Sequence, residues 1–284
     1  MDNIRLALER AKTLDASLAK GQATKVSSSP AQTASEPRAQ QAIRNQEIAL
    51  NLRKLESNRI IAHDDTDPRT RAFDILRTEV LQLIDQKNWN VVGITSPTPG
   101  CGKTVTAINL AFSIARHPHR SALVVDLDLR KPHVAASIGV KCRSGILGVL
   151  TGQTDLSSAI IQVRAGNYGI SVLPTEGPAS DSSAWITSRA MSTVLQDVKR
   201  DYRSHTIIVD LPPTLVSDDV LALLPQLDCV LLVTAVGKSR ISEIEESMKH
   251  LQHTEVVRLV LNKVPKLHSQ YHTYYYLPKR SPSP

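Results

Sequence analysis

Thr95-Ser-Pro-Thr-Pro-Gly-Cys-Gly-Lys-Thr104 lies between two apolar stretches of different period. Before it, Val91-Val-Gly-Ile-Thr95 is a short, continuous apolar run of the kind that forms a strand buried on both faces. After it, Val105-Thr-Ala-Ile-Asn-Leu-Ala-Phe-Ser-Ile-Ala115 reads as a helix. The turn between them ends in Gly-x-Gly-Lys-Thr, the core of a P-loop. Its glycines let backbone N–H groups point inward around phosphate oxygens, Lys103 adds a point charge for the β- and γ-phosphates, and the Thr104 hydroxyl suits Mg²⁺. The full pattern asks for glycine five residues before Gly102, and this chain has Pro97 there. The strand–loop–helix setting supplies what the incomplete motif lacks. The chain is expected to bind a nucleoside triphosphate.

The same rhythm continues outward. Apolar runs recur at Ala122–Asp126, Ile170–Pro174, Thr206–Asp210, Cys229–Thr234 and Val256–Leu261, separated by helical stretches near 105–116, 184–202, 215–224 and 241–253. A further helix, Arg71–Gln86, precedes the first strand. Continuous apolar strands alternating with helices predict an α/β fold, a doubly wound and mainly parallel sheet covered on both faces. In such folds ligands sit at the carboxyl ends of the strands.

Two of those ends carry carboxylates. Val124-Val-Asp-Leu-Asp-Leu-Arg-Lys-Pro132 sets Asp126 and Asp128 two residues apart, on one side of an extended backbone. Ile207-Ile-Val-Asp-Leu-Pro-Pro213 places Asp210 at the equivalent mouth. One such aspartate is as readily a helix cap. Three, on two strands of a chain that also carries Gly-Lys-Thr, point to the Mg²⁺ side of a phosphate site.

Composition narrows the class. The chain has 284 residues, 41% hydrophobic and 21% charged, enough for one good-sized core plus tails. No apolar run reaches the length of a membrane span, and Met1-Asp-Asn-Ile opens no signal-peptide pattern. Cys101, Cys142 and Cys229 are irregularly spaced and suggest neither a disulfide framework nor zinc, so a cytoplasmic setting is expected. The net charge of +7 is carried by scattered residues, with two Phe and two Trp for stacking, which argues against a nucleic-acid partner.

The expected organisation has five parts. Residues 1–20 form an amphipathic helix with Ile4, Leu8, Ala11, Leu14 and Leu18 on one face, either solvated or docking on a partner or membrane. Residues 21–40 are a Ser/Ala/Gln/Pro-rich disordered linker. Residues 41–69 hold a helix over roughly 41–57 and a connector, 70–265 the P-loop domain, and 266–284 a tyrosine-rich tail.

Pro-x-Pro-Gly-x-Gly-Lys-Thr, Val-Val-Asp-x-Asp-x-Arg-x-Pro and Ile-Val-Asp-x-Pro-Pro together resemble the bacterial tyrosine kinases of capsule and exopolysaccharide export. That family shares a broad class of P-loop ATPases with the MinD/ParA proteins. The resemblance covers roughly residues 70–276, and Gly177–Met191 is similar to a degraded Pro-x-Pro-x-Glu-Leu-Leu segment of the family. It implies ATP and Mg²⁺ as cofactors. Gly100, Cys101, Gly102, Lys103, Thr104 and Val105 would form the phosphate cradle, with Asn262 at the adenine ring. Thr104, Asp126 and Asp210 would serve the metal, and Lys103, Asp126 and Asp128 would carry the catalysis. It also implies a homo-oligomer and a separate transmembrane activator of the chain-length-determinant type, which would hold the chain at the inner face of the membrane.

Three regions bear on the choice of function. Tyr271, Tyr274, Tyr275 and Tyr276 crowd into six residues. Alone they fit an edge strand or an aromatic cluster; beside the kinase-like motifs they look like the family's autophosphorylated tail. The family's Glu-x-x-Arg-x-x-Arg ring contact is represented by Arg71, Asp74 and Arg77, of which Arg77 alone fits. Cys101 replaces a common glutamate, and Thr98 stands where MinD/ParA proteins place a second lysine, against the positioning-ATPase reading. An ATPase switch without tyrosine transfer and a degenerate ATP-binding scaffold remain the alternatives.

Overall fold

The computed structural model describes residues 47–252, 254 and 257–265. The N-terminal helix and linker expected at 1–40, and the tyrosines of the tail, lie outside the described residues. At the centre are β2 (Val91–Thr95) and α3 (Lys103–Ala115), joined by the phosphate loop. Every residue of β2 is buried, as the run of Val and Ile requires. The remaining strands are β1 (Ile48–Ala49), β3 (Ser121–Asp126), β4 (Ile161–Ala165), β5 (Tyr168–Leu173), β6 (His205–Asp210), β7 (Cys229–Ala235) and β8 (Val257–Asn262). They form an eight-stranded sheet in the order β1-β4-β5-β3-β6-β2-β7-β8. All pairings are parallel except β4 with β5.

The pleat sorts the core onto two faces. Val92, Ile94 and Val124 point to the side covered by α3 and by α2 (Arg71–Lys87). Val91, Leu123 and Val125 point to the side covered by α8 (Arg189–Asp201). Between α3 and α8 come the short helices α4 (Val134–Ile138), α5 (Ile146–Leu150), α6 (Leu156–Ala159) and α7 (Ser182–Ile186). Helices α9 (Asp219–Leu223) and α10 (Ile241–His250) follow β6 and β7. The helix expected over 184–202 is broken into α7 and α8. The Ser188 hydroxyl accepts the Met191 N–H at 3.1 Å and starts a new helix there, which buries Met191, Val194, Leu195 and Val198 along one face.

Two findings extend the sequence reading. Strand β4 was not expected; it forms a hairpin with β5 across Gly166-Asn167, where Gly166 takes φ 58°. The segment 47–62 contains β1 and α1 (Leu52–Ser57), shorter than the helix expected over 41–57. Leu55, Ile60 and Ala62 are fully buried in the same cluster as α3. Asn109 of α3 secures the contact. Its Oδ1 accepts the N–H groups of Ile61 and Ala62 at 2.8 and 2.9 Å, and its Nδ2 donates to Arg59 O at 2.9 Å.

Candidate nucleotide and metal site

The phosphate loop leaves β2 at the carboxyl edge of the sheet. Gly100 and Gly102 hold φ 79° and 99°, conformations in which a side chain is strained. Gly102 is also the N-cap of α3, so the helix begins at the loop's end and aims its N-terminal dipole there. Strand β6 lies beside β2 with Ile94 level with Asp210, and β3 lies beside β6 with Asp126 level with Asp210. Parallel pairing therefore brings Lys103, Thr104, Asp126, Asp128 and Asp210 to one mouth. That juxtaposition is the one the sequence motifs anticipated.

The side chains are tightly engaged. Lys103 Nζ lies 2.8 Å from Asp128 Oδ2 and 3.4 Å from Asp210 Oδ1. Thr104 Oγ1 donates to Asp210 Oδ2 at 2.6 Å. Asp126 accepts the N–H groups of His133 and Val134 on one oxygen, both at 3.0 Å, and thereby caps α4. Burial disfavours the charge on Lys103, but Asp210 and Asp128 outweigh it and hold the ammonium above its ordinary value. Burial, reinforced by the charge of Asp210, pushes the Asp126 carboxyl up to about 8. Burial likewise raises Asp210, against the opposing pull of Lys103 and Thr104. The raised Asp126 carboxyl therefore holds its proton into the neutral range in the nucleotide-free protein.

Among the described residues no group of three or more His, Cys, Asp or Glu side chains could hold a metal by itself. A Mg²⁺ ion does not need one, because it keeps waters and phosphate oxygens as ligands beside one or two protein groups. The hydroxyl of Thr104, already on Asp210, and the carboxylates at the strand ends fit that requirement.

Other expected residues fall around this centre. Cys101 is fully buried, with Sγ donating to Thr98 O at 3.2 Å and 3.4 Å from Ser239 Oγ, a packed rather than reactive setting. Val105 sits in the first turn of α3, its carbonyl receiving Asn109 Nδ2 at 2.8 Å. Asn262, at the end of β8, donates Nδ2 to Cys101 O at 2.9 Å. Arg77 is not at the mouth; it packs at the far end of α3, with Nη1 3.1 Å from Asp74 Oδ1 and 3.2 Å from Ser113 O. One group escaped the sequence reading. Asp219 accepts from Arg130 Nε, Ser182 Oγ and Ser183 Oγ at 3.3, 3.0 and 2.7 Å. Burial alone would raise its carboxyl, but the hydrogen bonds from Ser183, Ser217, Ser182 and Arg130 hold it below its usual range. In sequence it reads as an ordinary helix start; the available signal was Arg130, two residues past Asp128, which needs an anion.

A parallel sheet, a glycine loop opening a helix, and a buried lysine among strand-end aspartates define a P-loop nucleotide-binding domain. The chain belongs to the AAA domain family, whose model matches residues 90–262. It is 30% identical over 190 residues to the putative tyrosine-protein kinase EpsB of Ralstonia solanacearum, an alignment covering 67% of this chain and 25% of that protein. The chain thus spans about a quarter of the length of the first curated relatives it matches. It is 31% identical over 182 residues to the tyrosine-protein kinase CpsD of Streptococcus pneumoniae serotype 4, covering 61% of this chain and 76% of that one. The kinase domain of the Escherichia coli tyrosine kinase ETK superposes with a TM-score of 0.61 at 26% identity, covering 72% and 80% of the two chains. Among the described residues no helix is long and apolar enough to cross a membrane.

Proposed function

We propose that the chain is an ATP-dependent protein-tyrosine autokinase acting on Tyr271, Tyr274, Tyr275 and Tyr276 of its own tail, between subunits, in exopolysaccharide or capsule synthesis and export. The observation that carries the reading is Lys103 and Thr104 gathered with Asp126, Asp128 and Asp210 at one strand-end mouth. The names of the relatives support it. The loop N–H groups and Lys103 bind and orient the triphosphate, and Thr104 and Asp210, with Asp126 beside them, would hold Mg²⁺. Bound there, the ion would supply positive charge against the triphosphate. Asp126, whose ionised form Mg²⁺ bound beside it would favour, then takes the proton of the incoming tyrosine hydroxyl as its oxygen bonds to the γ-phosphorus and the bond to ADP breaks. Asp128 keeps Lys103 placed. The work is positioning plus electrostatic stabilisation.

By the same reading the protein works as a homo-oligomer, with Arg77 at a subunit contact. A transmembrane chain-length-determinant protein activates it at the inner face of the membrane. The test is incubation of pure protein with ATP·Mg²⁺ and mapping of phosphate by mass spectrometry. Phosphate on Tyr271–Tyr276 that vanishes in Lys103→Met is expected. Phosphate release with unmodified tyrosines would instead establish an ATPase switch. Mixing a Lys103→Met chain with a tail-truncated active chain tests transfer between subunits, which predicts phosphate on the Lys103→Met tail.

A further inference from the structure

A peptide group points its C=O and N–H in opposite directions, since the bond is trans. The described chain has no cis peptide bond. A loop that turns its N–H groups inward to an anion must therefore turn carbonyls outward, and each outward carbonyl needs a donor. Two of them find donors on one neighbouring turn. Asn262 Nδ2 donates to Cys101 O at 2.9 Å, and Lys263 Nζ donates to Gly100 O at 2.7 Å. These are the carbonyls of the peptides whose N–H groups belong to Gly102 and Cys101.

The turn is built for this reach. Lys263 takes φ 56°, an uncommon conformation for a residue with a side chain, and the Asn262 side chain supports it by accepting the Lys263 N–H on Oδ1 at 2.7 Å. The loop after β7 closes the same side: Val236 N donates to Asn262 O at 3.0 Å, and Ser239 Oγ lies 3.4 Å from Cys101 Sγ. The fit is close enough that a Cβ on Gly102 would lie 2.2 Å from Asn262 Nδ2, and one on Gly100 would lie 2.6 Å from Lys238 Nζ.

We propose that Asn262 and Lys263 are positioning residues, a clasp behind the phosphate loop that fixes its peptides and polarises them toward a bound triphosphate. A donor on a carbonyl strengthens the N–H of the same peptide as a donor, and a cationic one does so most. Asn262, on this view, acts through the loop backbone, in place of the adenine contact that family resemblance assigns it. The inference rests on the nucleotide-binding reading above.

The test titrates the full-length chain with ATP·Mg²⁺ and with GTP·Mg²⁺ by calorimetry, alongside autophosphorylation kinetics. Lys263→Met should weaken ATP binding about tenfold, the size of one charge-assisted hydrogen bond. KM should rise in step while kcat stays within about twofold, as expected when uniform binding is lost. Lys263→Arg should restore both. Asn262→Ala should weaken ATP and GTP in equal proportion. Because Lys263 is exposed, thermal unfolding of the nucleotide-free Lys263 variants should match the wild type. ATP binding by Lys263→Met as tight as the wild type's overturns the clasp alone, and so does a loosened ATP-to-GTP preference in Asn262→Ala, which would make that residue a base reader. A wild type that binds neither nucleotide sinks the clasp and the nucleotide reading together.

Discussion

Lys103 directs its ammonium onto Asp128, Nζ to Oδ2 2.8 Å, while Asp210 Oδ1 lies 3.4 Å away on β6, the strand between β3 and β2. The lysine and the two aspartates are nearly enclosed by protein. The residue that serves phosphate is thus also the counter-ion of a buried acidic cluster. Lys103→Met removes the cation and leaves the carboxylates. At pH 8 in nucleotide-free protein the variant should lose roughly 3–5 kcal/mol, the cost of breaking a buried pair from one side. Urea unfolding reads it, and an unchanged midpoint would show that the pair contributes nothing.

The same cluster sets a pH dependence. Asp126 titrates near 8 in the folded protein and near 3.8 in an unfolded chain. Between those values the folded state holds the extra proton, so stability must fall as pH rises through that window. Nucleotide-free wild type should therefore melt at progressively lower temperature from about pH 5 to pH 9. Asp126→Asn cannot lose a proton and should flatten that slope, even though its altered hydrogen bonds to His133, Val134 and Asp128 lower the melting temperature at acid pH. A slope unchanged by the substitution would assign the titration to another group.

The central domain was legible because its signals are local. Valine-rich runs, Gly-Lys-Thr and strand-end aspartates lie within a few residues of one another, and parallel pairing aligns them without further information. Strand β4 was not seen, although Ile161-Gln-Val-Arg-Ala165 alternates and Gly166-Asn167 is a hairpin turn; the run is half polar because β4 lies next to the sheet's edge strand, β1. The place of residues 47–62 was beyond local reading, since it depends on Asn109 meeting backbone nearly fifty residues away. The same holds for Asp219 and Lys263, whose partners come from distant loops.

Asp74 and Arg77, two of the three positions that represent the family's ring contact in this sequence, also pair within the domain. Asp74 receives Ser113 Oγ at 2.7 Å, Arg77 Nη1 at 3.1 Å and Arg116 Nη1 at 3.2 Å. Asp74→Ala strands two arginines against α3 and should cost roughly 2–3 kcal/mol, while Asp74→Asn, which keeps the acceptor, should cost less. Chemical denaturation of both variants separates this role from a purely intermolecular one, which would leave the midpoint of each unchanged.

Gly102 is constrained twice, by φ 99° and by Asn262 Nδ2 standing where a Cβ would go. Gly102→Ala should distort the loop at both its helix start and its outer side, and abolish measurable ATP binding. Circular dichroism should show the fold retained, because the loop lies at the sheet's edge rather than in its core. Normal ATP affinity in this variant would mean that the loop tolerates a geometry quite different from the one described here.

The contact made by Asn109 offers the sharpest test of where the folded domain begins. Its amide satisfies the N–H groups of Ile61 and Ala62 and the carbonyls of Arg59 and Val105, and both N–H donors are in buried residues. Asn109→Ala leaves the Ile61 and Ala62 N–H groups without partners inside the core, at about 1–3 kcal/mol for each buried group left unmade, so a loss of roughly 3 kcal/mol or more is expected. Because Leu55, Ile60 and Ala62 pack on α3, the loss should not be confined to one turn. Hydrogen exchange should quicken across 50–62 and at α3 together, since the segment and the phosphate-loop helix stabilise each other. Were 47–62 only a connector to the domain, exchange would rise there alone and α3 would keep its protection.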